Sequence, residues 1–156
     1  MIWKNLVLFV LILCTVIGCK DENEEDIIMP RIDGKKILML IASKNFRDEE
    51  LQEPQKIFIK QGAEVTIASS SLNTATGMLG AKVKPDILIN NVKVEDYDAI
   101  VFVGGSGSSE YWDDPTAHKI AKKAVESNKI LCAICIAPVT LANAGVLKGK
   151  RATVYS

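Results

Sequence analysis

A cysteine at the end of an apolar run, followed at once by a helix that starts on proline, is a place where a thiol can be made reactive. Residues 129–138, KILCAICIAP, have that form. The apolar run predicts a buried strand, and Pro138 suits the first turn of the next helix. Cys135 lies at the junction, with Ala133 two residues before it and Ala137 two residues after. A nucleophile elbow needs such small neighbours because its central residue takes a strained backbone conformation. Unpaired N–H groups and the positive end of the helix dipole there favour thiolate over thiol. The same pattern also fits a cysteine that is simply a small buried hydrophobe. The residues alone leave both readings open.

Cys132 and Cys135 form a C-x-x-C, the spacing of a redox pair. Three residues along a strand span roughly 10 Å, whereas bridged cysteines keep their Cα atoms within about 7 Å. Cys132 is therefore expected inside the strand, as core. A carboxylate for the same chemistry is offered by Glu50. Pro54 removes a helical N–H and clashes with the carbonyl of Glu50, so a helix there should bend or begin near that residue. That geometry would aim Glu50 toward the strand ends, where a carboxyl beside a thiolate is pushed toward its protonated form. The plainer alternative makes Glu50 one of a solvated acidic set with Asp48, Glu49 and Glu53. Gly104-Gly105-Ser106-Gly107 lacks both the spacing and the lysine of a phosphate loop. His118, the only histidine, lies beside the apolar stripe of its helix and is expected to be exposed and unconnected to Cys135.

These residues need a scaffold that brings them together. The apolar run at residues 36–42 and the stretches at 64–68, 97–103 and 129–134 read as strands. Between them lie helical stretches over about 48–61, with Gly62 at its end, and after Asp114, which caps a helix starting on Pro115. Ala117, Ile120, Ala121, Ala124 and Val125 form the apolar face of that helix. Residues 69–85 read as loop with short hairpin pieces, residues 137–144 as a helix, and residues 151–155 as the start of one more strand. Such alternation predicts an α/β fold with a mainly parallel sheet and helices on both faces. Sites in such folds lie at the carboxyl ends of the strands, which directs attention to residues 46–50, residues 104–108 and Cys135.

The whole chain has 156 residues, 48% of them hydrophobic, with 19 Lys and Arg against 19 Asp and Glu. That is one globular domain, and the zero net charge excludes the basic footprint of a nucleic-acid binder. Residues 6–17 are an apolar run too short for a membrane span, which takes about 20 residues. They match the core of a secretory signal. Val16-Ile17-Gly18-Cys19 resembles a bacterial lipobox, so residues 1–18 are expected to be removed and Cys19 lipidated. Residues 19–34 would be an acidic tether, and residues 35–156 the folded domain, held by its lipid at a membrane on the extracytoplasmic or periplasmic side.

Three blocks together resemble the DJ-1/PfpI superfamily: residues 36–54, the strand-Gly-Gly of residues 97–105, and AICIAP at 133–138 continuing through LANAGVLKGKRAT. The resemblance implies a flavodoxin-like three-layer α/β/α sandwich, here without its last C-terminal elements, and assembly as a homo-oligomer. It also implies a reactive cysteine at Cys135, a glutamate contacting it at Glu50, and an oxyanion hole from the N–H groups of Gly105 and Ile136, with Gly104 beside them. Ile136 stands where peptidase members carry a histidine, and Tyr155 where deglycase members carry one, so Tyr155 is a candidate supporting residue. No metal or cofactor is expected. The implied activity is a cysteine-dependent hydrolase acting on amides or on carbonyl adducts, with a small carbonyl compound or a peptide as substrate. A cysteine-oxidation sensor and an inactive remnant are the alternatives.

Overall fold

The computed structural model describes residues 30–155. The leader read over 1–18 and the lipidation site at Cys19 lie outside the described residues. Five parallel strands form the main sheet: β1 (Lys36–Leu40), β3 (Glu64–Ser69), β6 (Ile87–Leu88), β7 (Ala99–Phe102) and β8 (Ile130–Ala133). Their order is β6-β3-β1-β7-β8, with β1 in the centre. β1 reads as a continuous apolar run because both of its faces are covered. Leu38 and Leu40 enter one core with Ile100, Phe102 and the helices α2 (Pro115–Glu126) and α3 (Pro138–Asn143). Ile37, Met39 and Ile41 enter the other core with Val101, Val103 and Leu51 of α1 (Asp48–Lys60). The result is a three-layer α/β/α arrangement of the flavodoxin-like kind.

A second, smaller sheet joins β2 (Lys44–Phe46) to β4 (Ala75–Gly77) and β5 (Lys82–Val83), the last two within the stretch read as loop with hairpin pieces. The Asp114 side chain accepts a hydrogen bond from the Ala117 N–H at 2.7 Å, the expected cap of α2. Val125, assigned to the apolar face of that helix, is instead 49% exposed. Ile32, in the stretch read as tether, packs on the second core, and its N–H donates to the Gln61 carbonyl.

Two expectations about the end of the chain need correction. Residues 151–155 form no strand; they run as irregular chain. Cys132 is exposed rather than core. β8 lies at the margin of the sheet, and its residues alternate between the two faces. Leu131 and Ala133 turn toward the core under α2 and α3, whereas Ile130 and Cys132 turn to the side that α1 leaves uncovered.

Candidate active site

The register of the sheet decides what meets at its carboxyl edge. Leu40 lies opposite Phe102, and Phe102 opposite Ala133. The ladder continues one step beyond, with Val103 N–H to Leu40 and Ile134 N–H to Phe102. Gly104 and Cys135 therefore leave the sheet side by side. Cys135 has φ of 60°, in the left-handed region that a side chain enters only under constraint. It is half-buried, and it turns the chain from β8 toward α3, with Ala137 buried behind it. The elbow read from the sequence is there in the backbone.

Glu50 arrives from the first turn of α1, which begins at Asp48, where the helical stretch over about 48–61 was expected to start. The Gly104 N–H donates to Glu50 Oε2 at 3.0 Å, and the Gly104 carbonyl accepts from the Arg47 N–H at 3.0 Å. Both backbone groups of Gly104 are thus tied to the start of α1. A Cβ on Gly104 would lie 2.5 Å from Glu50 Oε2, 2.6 Å from Cys135 Cβ and 2.7 Å from the Ile134 carbonyl oxygen. Only glycine leaves room for carboxylate and cysteine to share that spot. The Glu50 oxygen is bonded to the backbone, and no hydrogen bond joins it to the thiol among the described residues.

Gly105 follows with φ of 93°, its missing side chain replaced by the close backbone of Asn45, Phe46 and Arg47. The N–H groups of Gly105 and Ile136 donate to no protein acceptor among the described residues. Both border a pocket of about 540 Å³ that also contains Cys135 and Glu50. Two unused backbone donors beside a sulfur are suited to holding a developing oxyanion. Tyr155 lines the same pocket from irregular chain, and its N–H donates to the Cys135 carbonyl at 3.1 Å.

The sequence did not single out three further pocket residues: Arg47, Met78 and Ser106. Arg47 and Ser106 fall in segments marked as strand ends, and their side chains could have been noted there. Met78 comes from the turn between β4 and β5, and no local pattern signals it. The Asp48 carboxylate, buried, holds that turn by accepting from the N–H groups of Leu79 at 2.9 Å and Ala81 at 2.8 Å. Burial works against its charge, but these two bonds prevail and hold its pKa below the usual carboxylate value. Behind the site, Tyr111 donates to the Ile41 carbonyl and accepts from the Ser70 N–H. Burial, reinforced by the Glu110 charge, raises its pKa, so it stays a neutral strut.

Two side chains stand apart from this cluster. His118 is half-buried rather than exposed, because its Nε2 lies 2.7 Å from the Trp112 carbonyl oxygen, and it does not line the pocket. Cys132 keeps a thiol whose pKa is raised by partial burial.

Residues 35–156 match the sequence profile of the DJ-1/PfpI family. Among curated proteins, the chain is 42% identical over 151 residues to an uncharacterised protein of Methanocaldococcus jannaschii, covering 96% of this chain and 72% of that one. It is 38% identical over 120 residues to a protein of Pyrococcus horikoshii named deglycase PH1704, covering 77% of this chain and 72% of that one. Among solved structures, the crystal structure of a ThiJ/PfpI domain protein from Brachyspira murdochii superposes with a TM-score of 0.70 at 38% identity. That match covers 73% of this chain and 67% of the other.

Proposed function

Since the chain belongs to the DJ-1/PfpI family, we propose that it is a cysteine-dependent hydrolase of the deglycase kind, with Cys135 as the group that attacks a carbonyl carbon. The observation that carries this reading is the left-handed backbone of Cys135 beside a pocket that also contains Glu50. In the first step the sulfur adds to the carbonyl carbon, and the thiol proton passes to Glu50. The carbonyl oxygen takes up the negative charge between the N–H groups of Gly105 and Ile136. Return of the proton from Glu50 then expels the amine. From an amide this leaves an acyl group on the sulfur, which water releases as an acid with the thiol restored. From a carbinolamine adduct the amine leaves the neighbouring carbon as its hydroxyl becomes a carbonyl. A relative named as a deglycase supports the carbonyl-adduct version. Ile136 has no proton to exchange, so acid–base work in this reading falls to Glu50 alone.

Release of free amine from a methylglyoxal–amine adduct, measured against a Cys135→Ser background, tests the reading directly. Glu50→Gln keeps the shape but cannot take a proton, and it is expected to slow turnover about tenfold or more. Iodoacetamide labelling read by peptide mass should favour Cys135 strongly over Cys132, whose raised pKa leaves little thiolate at neutral pH. Equal labelling of the two cysteines and no turnover above background would sink the proposal.

The anchored location is proposed with it, and it rests on the lipobox resemblance at residues 16–19. Expressed in a bacterium, the protein should accumulate as a larger precursor under globomycin, and Cys19→Ala should do the same. An unchanged mature size in both cases overturns the anchor.

A further inference from the structure

Among the described residues Arg47 is the one cation bordering the pocket, and nothing in the proposed chemistry at Cys135 uses its side chain. The N–H of Arg47 is fixed on Gly104, at the strand end where the reacting carbon would sit, so the side chain starts from a rigid point. Its guanidinium is engaged by the neighbouring Glu49 through both edges of a fork. Nε lies 2.9 Å from Glu49 Oε2, and Nη2 lies 3.1 Å from Oε1. Both side chains are substantially exposed, 40% and 50%, and a pair of that kind is held only weakly against water and competing ions. Glu49 therefore presents to Arg47 the same planar, two-oxygen group that an incoming carboxylate would present.

The pocket has a second electrostatic requirement. Glu50 and Cys135 both carry negative charge in some step of the reaction, so an anionic compound would be repelled unless a cation offset them. Met78 and Ile136 add no charge to the remaining wall. Resting on the reading of Cys135 as the reacting group, we infer that Arg47 selects carbonyl compounds bearing a carboxylate next to the reacting carbon. Glu49 occupies the guanidinium fork in this structure. A 2-oxo acid that carries an amine leaving group on the reacting carbon, such as an oxamate, is the substrate class: its carboxylate exchanges with that of Glu49 on the guanidinium fork, while its carbonyl carbon faces the sulfur.

Two alkylating probes of nearly equal size separate charge recognition from reactivity. Iodoacetate carries the carboxylate, and iodoacetamide is neutral; with either, the sulfur bonds to the CH2 carbon and iodide leaves. The readout is the ratio of the two labelling rates at Cys135 by peptide mass spectrometry, in low salt, with Cys132 as internal reference. Arg47→Gln is expected to lower that ratio about fivefold, and Glu49→Gln to raise it about twofold by freeing the fork. Both shifts should shrink in high salt. A ratio at Cys135 that is the same in the parent and in both variants overturns the inference. Release of ammonia from oxamate and from the neutral oxamide then keeps the two proposals apart. Shifted ratios without turnover of either compound sink the hydrolase reading and leave the carboxylate site standing. Turnover with equal preference for the two compounds in the parent and in Arg47→Gln sinks the carboxylate site alone.

Discussion

With alanine at position 104, carbonyl turnover and alkylation of Cys135 are expected to fall about 100-fold or more, because the reacting groups lose their shared space. The added methyl would meet three atoms at once: Glu50 Oε2 at 2.5 Å, Cys135 Cβ at 2.6 Å and the Ile134 carbonyl oxygen at 2.7 Å. A carboxylate can rotate away, but the Ile134 carbonyl belongs to the elbow itself. Relief must therefore come from the backbone, either by moving β7 away from β8 or by pushing the Gly104–Gly105 peptide outward. The first disturbs the bond from the Ile134 N–H to Phe102; the second displaces the Gly105 donor from the pocket. Loss of one oxyanion donor alone costs about 100-fold in well-studied acyl-transfer sites. The strain should also lower stability by about 1–3 kcal/mol. Chemical denaturation measures that cost, and the labelling rate of Cys132 reports whether the sheet is intact. Wild-type labelling of Cys135 in Gly104→Ala would mean that carboxylate and cysteine do not depend on the glycine between them.

The dependence on one glycine also explains which parts of this molecule could be read from sequence. β1 and β7 were legible because burial on both faces makes a strand nearly apolar throughout, and that signal is local. The elbow was legible for a similar reason: Ala133, Cys135, Ala137 and Pro138 fall within six residues, and their sizes alone describe the bend. Cys132 was misjudged because the apolar run does not record where the sheet stops. At its margin, one face of β8 has no helix over it. Residues 151–155 were misjudged for the converse reason. Their β-branched and aromatic residues suit a strand, but the bond from the Tyr155 N–H to the Cys135 carbonyl leads to the elbow and not to a ladder. His118 escaped because its partner is a backbone carbonyl in a preceding turn, which has no sequence signature. Glu50 was a candidate only through Pro54 and the family resemblance. What fixes it is a backbone N–H 54 residues away.

Asp48, read from the sequence only as one of a solvated acidic set, is instead buried, and its replacement has a large expected effect. Asp48→Ala should destabilise the protein by about 2 kcal/mol and free the turn between β4 and β5. The side chain is buried, at 4% exposure, yet it reaches across from α1 to two N–H groups in that turn. Gly77 makes the approach feasible, since a Cβ there would overlap the Asp48 carboxylate; Gly77→Ala should therefore reproduce the defect. Leu79 is 65% exposed, so water can partly replace the lost acceptor, which is why the expected cost is nearer two than four kcal/mol. Met78, which borders the pocket, is held by the same turn. A rise in KM larger than the fall in kcat is expected, because the reacting groups on Gly104 and Cys135 are untouched. Acid should act as the substitution does. Folding keeps Asp48 ionised to lower pH than the unfolded chain does, so its contribution is complete above the unfolded value of about 3.9. It is lost as pH falls further, through the lower folded value. Denaturation midpoints measured from pH 6 down to pH 2 should thus fall more steeply in the parent than in Asp48→Ala, the two curves converging at the acid end. Parallel curves would show that the carboxylate carries no net charge-dependent stability, and that the turn is held by its backbone alone.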